Sequence, residues 1–242
     1  MSNVRAALVV LAGFAACIAT FQLVPIDLWL QDRLFDPSTS EWFVDEHAWI
    51  GLVLCYHGPK VVAWIVGLTA ITLALGPARW RDRFGFRRRG LWLVVLALGL
   101  VPALVGLGKR VTNVHCPRDL SRYGGKQPHA ELCSCYSPQV PPTRAGKCWP
   151  AGHASGGFAL LGLSALRSSR RWKRSCWVIG MTLGWWMGGY QMLRGAHFLS
   201  HTVATMWVAA AVVIALHALL DPRDRDADVR VAEAPLDAAR TR

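Results

Sequence analysis

Six apolar runs divide this chain, at approximately 6–24, 48–76, 90–108, 152–166, 176–194 and 198–220, and they point to a bundle built in lipid. A helix rises about 1.5 Å per residue and the hydrocarbon layer is about 30 Å thick, so roughly 20 mainly apolar residues cross it. The fourth run is short and opens AGHASGG, and the fifth ends in polar residues. The expected fold is all-α: a polytopic membrane bundle of six transmembrane helices over residues 1–220, with an external interfacial segment and a charged cytoplasmic tail over 221–242. The first run lacks an A-x-A ending, which predicts an uncleaved anchor rather than a signal peptide.

Charge gives the orientation. The chain is 53% hydrophobic yet carries a formal net charge of +12, so the two must be segregated. RWRDRFGFRRR, between the second and third runs, has six arginines, and RSSRRWKR, between the fourth and fifth, has five basic residues. Both loops are expected on the cytoplasmic side, which places both termini inside and residues 25–47 and 109–150 outside. The basic residues lie between apolar runs and form no aromatic-interleaved reading surface, which argues against nucleic acid and for a phospholipid bilayer as the partner. In WLQDRLF and SEWFVDEH, aromatic residues alternate with acids, as in an interfacial helix at headgroup level. Loop 109–150 holds seven basic residues against the topological trend, which calls for an anionic ligand.

Four of the seven cysteines, Cys116, Cys133, Cys135 and Cys148, fall in that loop. An oxidising compartment permits two disulfides among them, in any of three pairings. Zinc is the alternative, although C-S-C followed by a distant cysteine is no recognised finger spacing. Cys17, Cys55 and Cys176 lie in or beside apolar runs and read as small core residues.

Three clusters fall at one membrane face under this topology: GKRVTNVHCPRD (108–119), CWPAGHASGG (148–157) and QMLRGAHFLSH (191–201). Each has a bland reading, with Lys109 and Arg110 as snorkelling anchors and the histidines as hydrogen-bonded helix ends. Together they offer more. Cations and a glycine-rich helix start can hold the oxygens of a phosphate, while one histidine attacks phosphorus and another protonates the leaving oxygen.

These clusters resemble the three motifs of the type-2 phosphatidic acid phosphatase family, K-x6-R-P, P-S-G-H and S-R-x5-H-x3-D, in order, spacing and side of the membrane. The resemblance runs from the third apolar run to the sixth. It implies a membrane lipid phosphatase or phosphotransferase that needs no cofactor or metal and works through a phosphohistidine. His197 would attack, His153 would serve as acid and then base, and Lys109, Arg118, Gly152, Gln191 and Arg194 would bind substrate. The motifs depart from the pattern at several positions. Cys116 stands at the first arginine, with Arg118, Arg110 or His115 as replacements; Ala151 stands at the serine. Gln191 stands at the second arginine, with Arg194 beside it, and His201 stands at the aspartate, where it or Asp119 would orient His197. The implied substrate is a lipid phosphate of the bacterial envelope, such as lipid A, an isoprenyl diphosphate or phosphatidylglycerophosphate, met at the outer face of the inner membrane.

Two alternatives remain at this stage. A zinc-dependent hydrolase would use the H-x3-H spacing of His197 and His201; an inactive relative would bind or transport lipid phosphate without turnover. The topology itself is testable: after reduction, a membrane-impermeant thiol reagent should reach the cysteines of loop 109–150 in intact cells. Labelling that requires lysis would reverse the orientation.

Overall fold

The computed structural model describes residues 3–45, 48–132, 134 and 136–220. The tail over 221–242, together with Cys133 and Cys135, lies outside the described residues. Every apolar run forms a helix. The elements are α1 (Asn3–Leu23), α2 (Ile26–Gln31), β1 (Phe35–Asp36), β2 (Glu41–Trp42), α3 (Trp49–Gly51), α4 (Gly58–Leu75), α5 (Ala78–Arg83), α6 (Arg88–Val111), α7 (Gly152–Ala159), α8 (Arg170–Leu193) and α9 (Leu199–Leu220). Residues Leu52–His57 join α3 to α4 as a π-helical turn, so Trp49–Leu75 runs without a break. Pro59 explains the wide turn: its ring cannot sit under the carbonyl four residues back, and Gly58 N–H bonds instead to Val53 O, five residues back.

Among the described residues, four helices, Arg5–Leu23, Trp49–Leu75, Arg88–Val111 and Leu199–Leu220, are long and apolar enough to cross a bilayer. The expected six are thus four by length and hydropathy, and the shortfall has physical causes. Four of the first five residues of α8 are basic, and its remainder is rich in tryptophan and glycine, which contribute little hydropathy. The eight residues of α7 continue into a six-residue 3-10 segment, Leu160–Ala165, together about 24 Å long and short of the hydrocarbon thickness. Burial compensates for this length. Helix α7 packs against α6, α8 and α9, and Phe158, Ala159 and Leu161 are fully buried among Leu93, Ala97, Val101 and Val213.

Small residues set the approach of these central helices, since lipid tails supply no hydrophobic drive for helices to associate. A Cβ on Gly157 would lie 2.6 Å from the backbone nitrogen of Gly184 in α8. Around this centre α4 packs on α6, and α1 packs on α9 at the periphery. The two arginine-rich loops meet at one end, where Arg87, Arg88, Arg89, Arg167 and Lys173 line a single cavity.

At the other end sits a polar cap. The expected interfacial helix over 25–47 is only the six-residue α2, after which the chain turns into the β1–β2 hairpin, pairing Phe35 with Trp42 and Asp36 with Glu41. The turn Asp36-Pro37-Ser38-Thr39-Ser40 forces this, because Asp36 Oδ1 accepts the Ser38 N–H at 2.8 Å and Ser40 has a φ of 57°. Phe35, Trp42 and Tyr123 stack with centroids 5.0 to 5.4 Å apart, gluing the hairpin to the loop after α6. Arg122 clamps Asp32 with two hydrogen bonds of 2.8 and 2.7 Å, which hold that carboxyl below its ordinary range.

Gly157→Ala should force α7 from α8 and cost about 1–3 kcal/mol, read as a lowered unfolding temperature in detergent. Gly106→Ala, where an added Cβ meets nothing within 4 Å, should leave it unchanged or raise it, since alanine is the better helix former by about 0.5–1 kcal/mol.

Candidate active site

The C-terminal ends of α6 and α8 and the N-terminal ends of α7 and α9 converge beneath the polar cap. They enclose a cavity of about 560 Å³ lined by Lys109, Cys116, Arg118, His153, Gln191, Arg194 and His197, together with Leu52, Tyr56 and His57. All three sequence clusters therefore meet.

The histidines form a row. His153 and His197 have ring centroids 6.0 Å apart, and His197 and His201 are 5.6 Å apart. His201 lies behind His197 and outside the cavity lining, with the two Nδ1 atoms 3.4 Å apart. One of these nitrogens must hold a proton and the other accept it. Burial chiefly, and then the neighbouring His201 and Lys109, hold His197 well below the ordinary histidine range, so its ring is neutral near pH 7.

Local structure fixes each position. Gly195, with a φ of 66°, ends α8 in a left-handed turn that returns the chain towards the cavity. Gln191 O accepts the N–H groups of Ala196 and His197 at 2.8 and 3.2 Å. From α2, the fully buried Gln31 donates to His197 O at 2.8 Å. Ala151 N–H donates to His201 O at 3.0 Å, locking the start of α7 to α9.

Lys109 crosses the start of α7, where a Cβ on Gly152 would lie 3.0 Å from Cε and 3.3 Å from Nζ of that lysine. A cation set against the positive end of a helix is an unfavourable pairing that a bound anion reverses. Arg118 and Arg194 line the same cavity, with no carboxylate among its described lining residues. His153 Nδ1 and Gln191 Nε2 are buried without a hydrogen-bond partner among the described residues.

Of the residues expected to replace the family's missing groups, Arg118 and Arg194 reach the cavity. Asp119 does not orient His197; it is held by Arg144 at 2.8 Å and, with His115, lines a neighbouring cavity. Cys116 pairs with Cys148, one of the three open possibilities, and joins the first cluster to the second.

Tyr56, His57 and Lys60 escaped the sequence reading. Tyr56 lies 4.5 Å from the His153 ring, centroid to centroid, and Lys60 Nζ sits 3.8 Å above the Tyr56 ring. A second cavity, also of about 560 Å³ and mainly apolar, begins at Lys60, Gly152 and His153 and runs between α4 and α6 past Trp64, Gly67, Leu98 and Gly99.

A model of the PAP2 superfamily matches residues 90–225, more than half the chain. The chain belongs to the PAP2 superfamily. Searches of curated proteins and of solved structures return no match. Membership in the PAP2 superfamily carries the coarse chemistry, a phosphatase acting on phosphate esters, and the matched span contains all three clusters.

Beside the site, Ser200 N–H and hydroxyl both bond to Asp27 of α2, the former at 2.9 Å. Burial raises the Asp27 carboxyl to about 6, with the Ser200 bonds pulling the other way. Between the unfolded value of about 4 and the folded value, the folded chain keeps a proton that the unfolded chain loses. The stabilisation from neutral Asp27 is complete below about pH 4 and disappears as pH rises through about 6. Relative to Asp27→Asn, the native protein should lose on the order of 1–3 kcal/mol across that window, measured by thermal unfolding in detergent at graded pH.

Proposed function

We propose that the protein is an integral membrane lipid phosphatase that proceeds through a phosphohistidine on His197, without a metal. The observation that carries this reading is the cavity's charge: three cations and a helix start face His153 and His197, with no carboxylate among the described lining residues. Such a pocket suits a dianionic phosphate, whose oxygens would accept from Lys109, Arg118, Arg194 and the N–H groups at the start of α7.

The roles follow from the ring contacts. With the shared proton on His197 Nδ1 and His201 Nδ1 accepting it, His197 Nε2 keeps a lone pair for attack on phosphorus. The P–O bond to the leaving group breaks as the N–P bond forms, and His153, protonated with the arrival of the phosphate's negative charge, gives that oxygen its proton and becomes neutral. His153 then takes a proton from water, which attacks phosphorus and releases His197. Lys109, Arg118 and Arg194 stabilise the charge spread over the transferring group, and Gln191 Nε2 supplies a further donor.

The apolar groove from His153 between α4 and α6 supports a lipid as the leaving group, since it continues the site into the span region and suits an acyl or isoprenoid chain. The reading includes six membrane crossings over residues 1–220, a cytoplasmic tail over 221–242, and a site facing the outside of a bacterial inner membrane. The basic loops at the opposite end of the bundle support that orientation.

Purified protein in detergent with EDTA should release phosphate from a long-chain lipid phosphate, and His197→Ala or His153→Ala should each lower turnover by about 10³-fold or more. Gly99→Leu, which fills the groove, should lower lipid turnover by about tenfold while hydrolysis of a soluble aryl phosphate persists. Activity lost on chelation would support the zinc-dependent reading. Tight binding without release would support the inactive one, which the replacement of the family carboxylate by His201 favours.

A further inference from the structure

Cys116 and Cys148 do more than staple a loop, because their bridge touches the residue proposed to attack phosphorus. Cys148 Sγ lies 3.3 Å from His197 Nδ1, and Cys116 lines the cavity. The two sulfurs and one nitrogen of His197 all fall within 4.8 Å of one another. While the disulfide is intact, neither sulfur carries a proton or a negative charge, so the bridge can only accept weakly from His197. Reduction changes the chemistry of the same three atoms.

We infer that reducing the Cys116–Cys148 disulfide creates a binding site for a thiophilic divalent cation of the Zn²⁺ class, formed by the two thiolates and His197 Nδ1. The inference rests on the proposed role of His197 only for its consequence, an enzyme switched off by zinc in its reduced form.

In the reduction, two molecules of a thiol reductant give two electrons and two protons to the S–S bond, leaving two cysteine thiols and one disulfide of the reductant. Binding of Zn²⁺ then releases the two thiol protons to water. Tetrahedral zinc with Zn–S of about 2.3 Å and Zn–N of about 2.0 Å sets sulfur and nitrogen about 3.6 Å apart. Cys148 and His197 already approach that separation at 3.3 Å. The two sulfurs must part to about 3.8 Å, a movement allowed at Cys116, the less buried of the pair. The nearby cations Lys109 and Arg118 favour the thiolate forms. Because Cys116 and His197 line the cavity, the fourth zinc position opens towards it and can take water or phosphate. Ligation through Nδ1 also moves the ring proton to Nε2, the nitrogen proposed to attack, so substrate would meet an N–H in place of a lone pair.

The test uses the full chain with Cys133→Ser and Cys135→Ser, which removes the other cysteines of the external loop. Equilibrium dialysis against Zn²⁺ alone, in disulfide and reduced forms, should show about one additional ion per chain in the reduced form. Its affinity should fall at least about tenfold in His197→Ala and be lost in Cys116→Ser/Cys148→Ser. Equal binding in both redox forms, or binding indifferent to His197, would overturn the inference. So would loss of helical circular dichroism on reduction, since the site requires a folded reduced chain. Phosphate release provides the second arm: zinc should inhibit only the reduced form, reversibly with a chelator. A protein inactive in every form would refute the proposed phosphatase function, while dialysis would still decide whether the metal site exists.

Discussion

The tie between the turn at Trp149–Ala151 and helix α9 fixes the geometry on which the remainder of the site depends. Ala151 is fully buried, and its N–H and C=O are taken by His201 O and the Thr205 hydroxyl, each at 3.0 Å. On the other side, Thr112 of the α6 terminus donates to Trp149 O at 2.8 Å. A buried backbone group without a partner costs about 1–3 kcal/mol, so these bonds leave the start of α7 one position between α6 and α9. His153, two residues on, is thereby set at a fixed distance from His197, four residues before His201. The proposed mechanism, with two groups acting on one phosphorus, requires such placement, because an error of an ångström erodes most of the advantage of proximity.

The polar cap extends this constraint from the bundle to the loop bearing His197. A short segment between α8 and α9 would ordinarily be mobile, yet Gln31 holds its carbonyl and Phe198 packs with Leu120 and Tyr123 beneath the hairpin aromatics. Residues 25–45 thus serve the site although they supply none of its lining. The arrangement accounts for a fully buried glutamine on an otherwise half-exposed helix, since Gln31 is fixed by a main-chain carbonyl 166 residues away in sequence.

Much of this was readable from the chain. Apolar runs of bilayer length announced the helices, and the ordered spacing of Lys109, His153 and His197 announced that their ends meet. Pairing and packing were less accessible. Four loop cysteines leave three pairings open, and only the fold brings Cys148 beside Cys116. The segment Tyr56-His57-Gly58-Pro59-Lys60 lies inside an apolar run, where helical periodicity assigns it no special face; the π-helical turn rotates Tyr56 and His57 onto the cavity. Its visible signal was a tyrosine, a histidine and a lysine within five residues of an otherwise apolar span, beside a proline. The fourth run looked weak for the reason that makes it central: α7, packed through glycine and alanine against α6, α8 and α9, needs neither great length nor high hydropathy when protein, and not lipid, surrounds it.

Under the proposed mechanism, with His201 in place of the carboxylate that the resemblance implies, the electrostatics of the site differ from the family pattern. An aspartate behind a nucleophilic histidine adds a negative charge, which raises the basicity of that ring and stabilises its cationic form. His201 offers a lone pair without the charge, in a setting that already contains Lys109, Arg118 and Arg194. The cavity is therefore more positive than the family pattern would make it, and the balance shifts from activating the nucleophile towards holding the anion. Under the proposed mechanism, a substrate with two phosphates, or one carrying its full dianionic charge, would be held most firmly by that positive cavity.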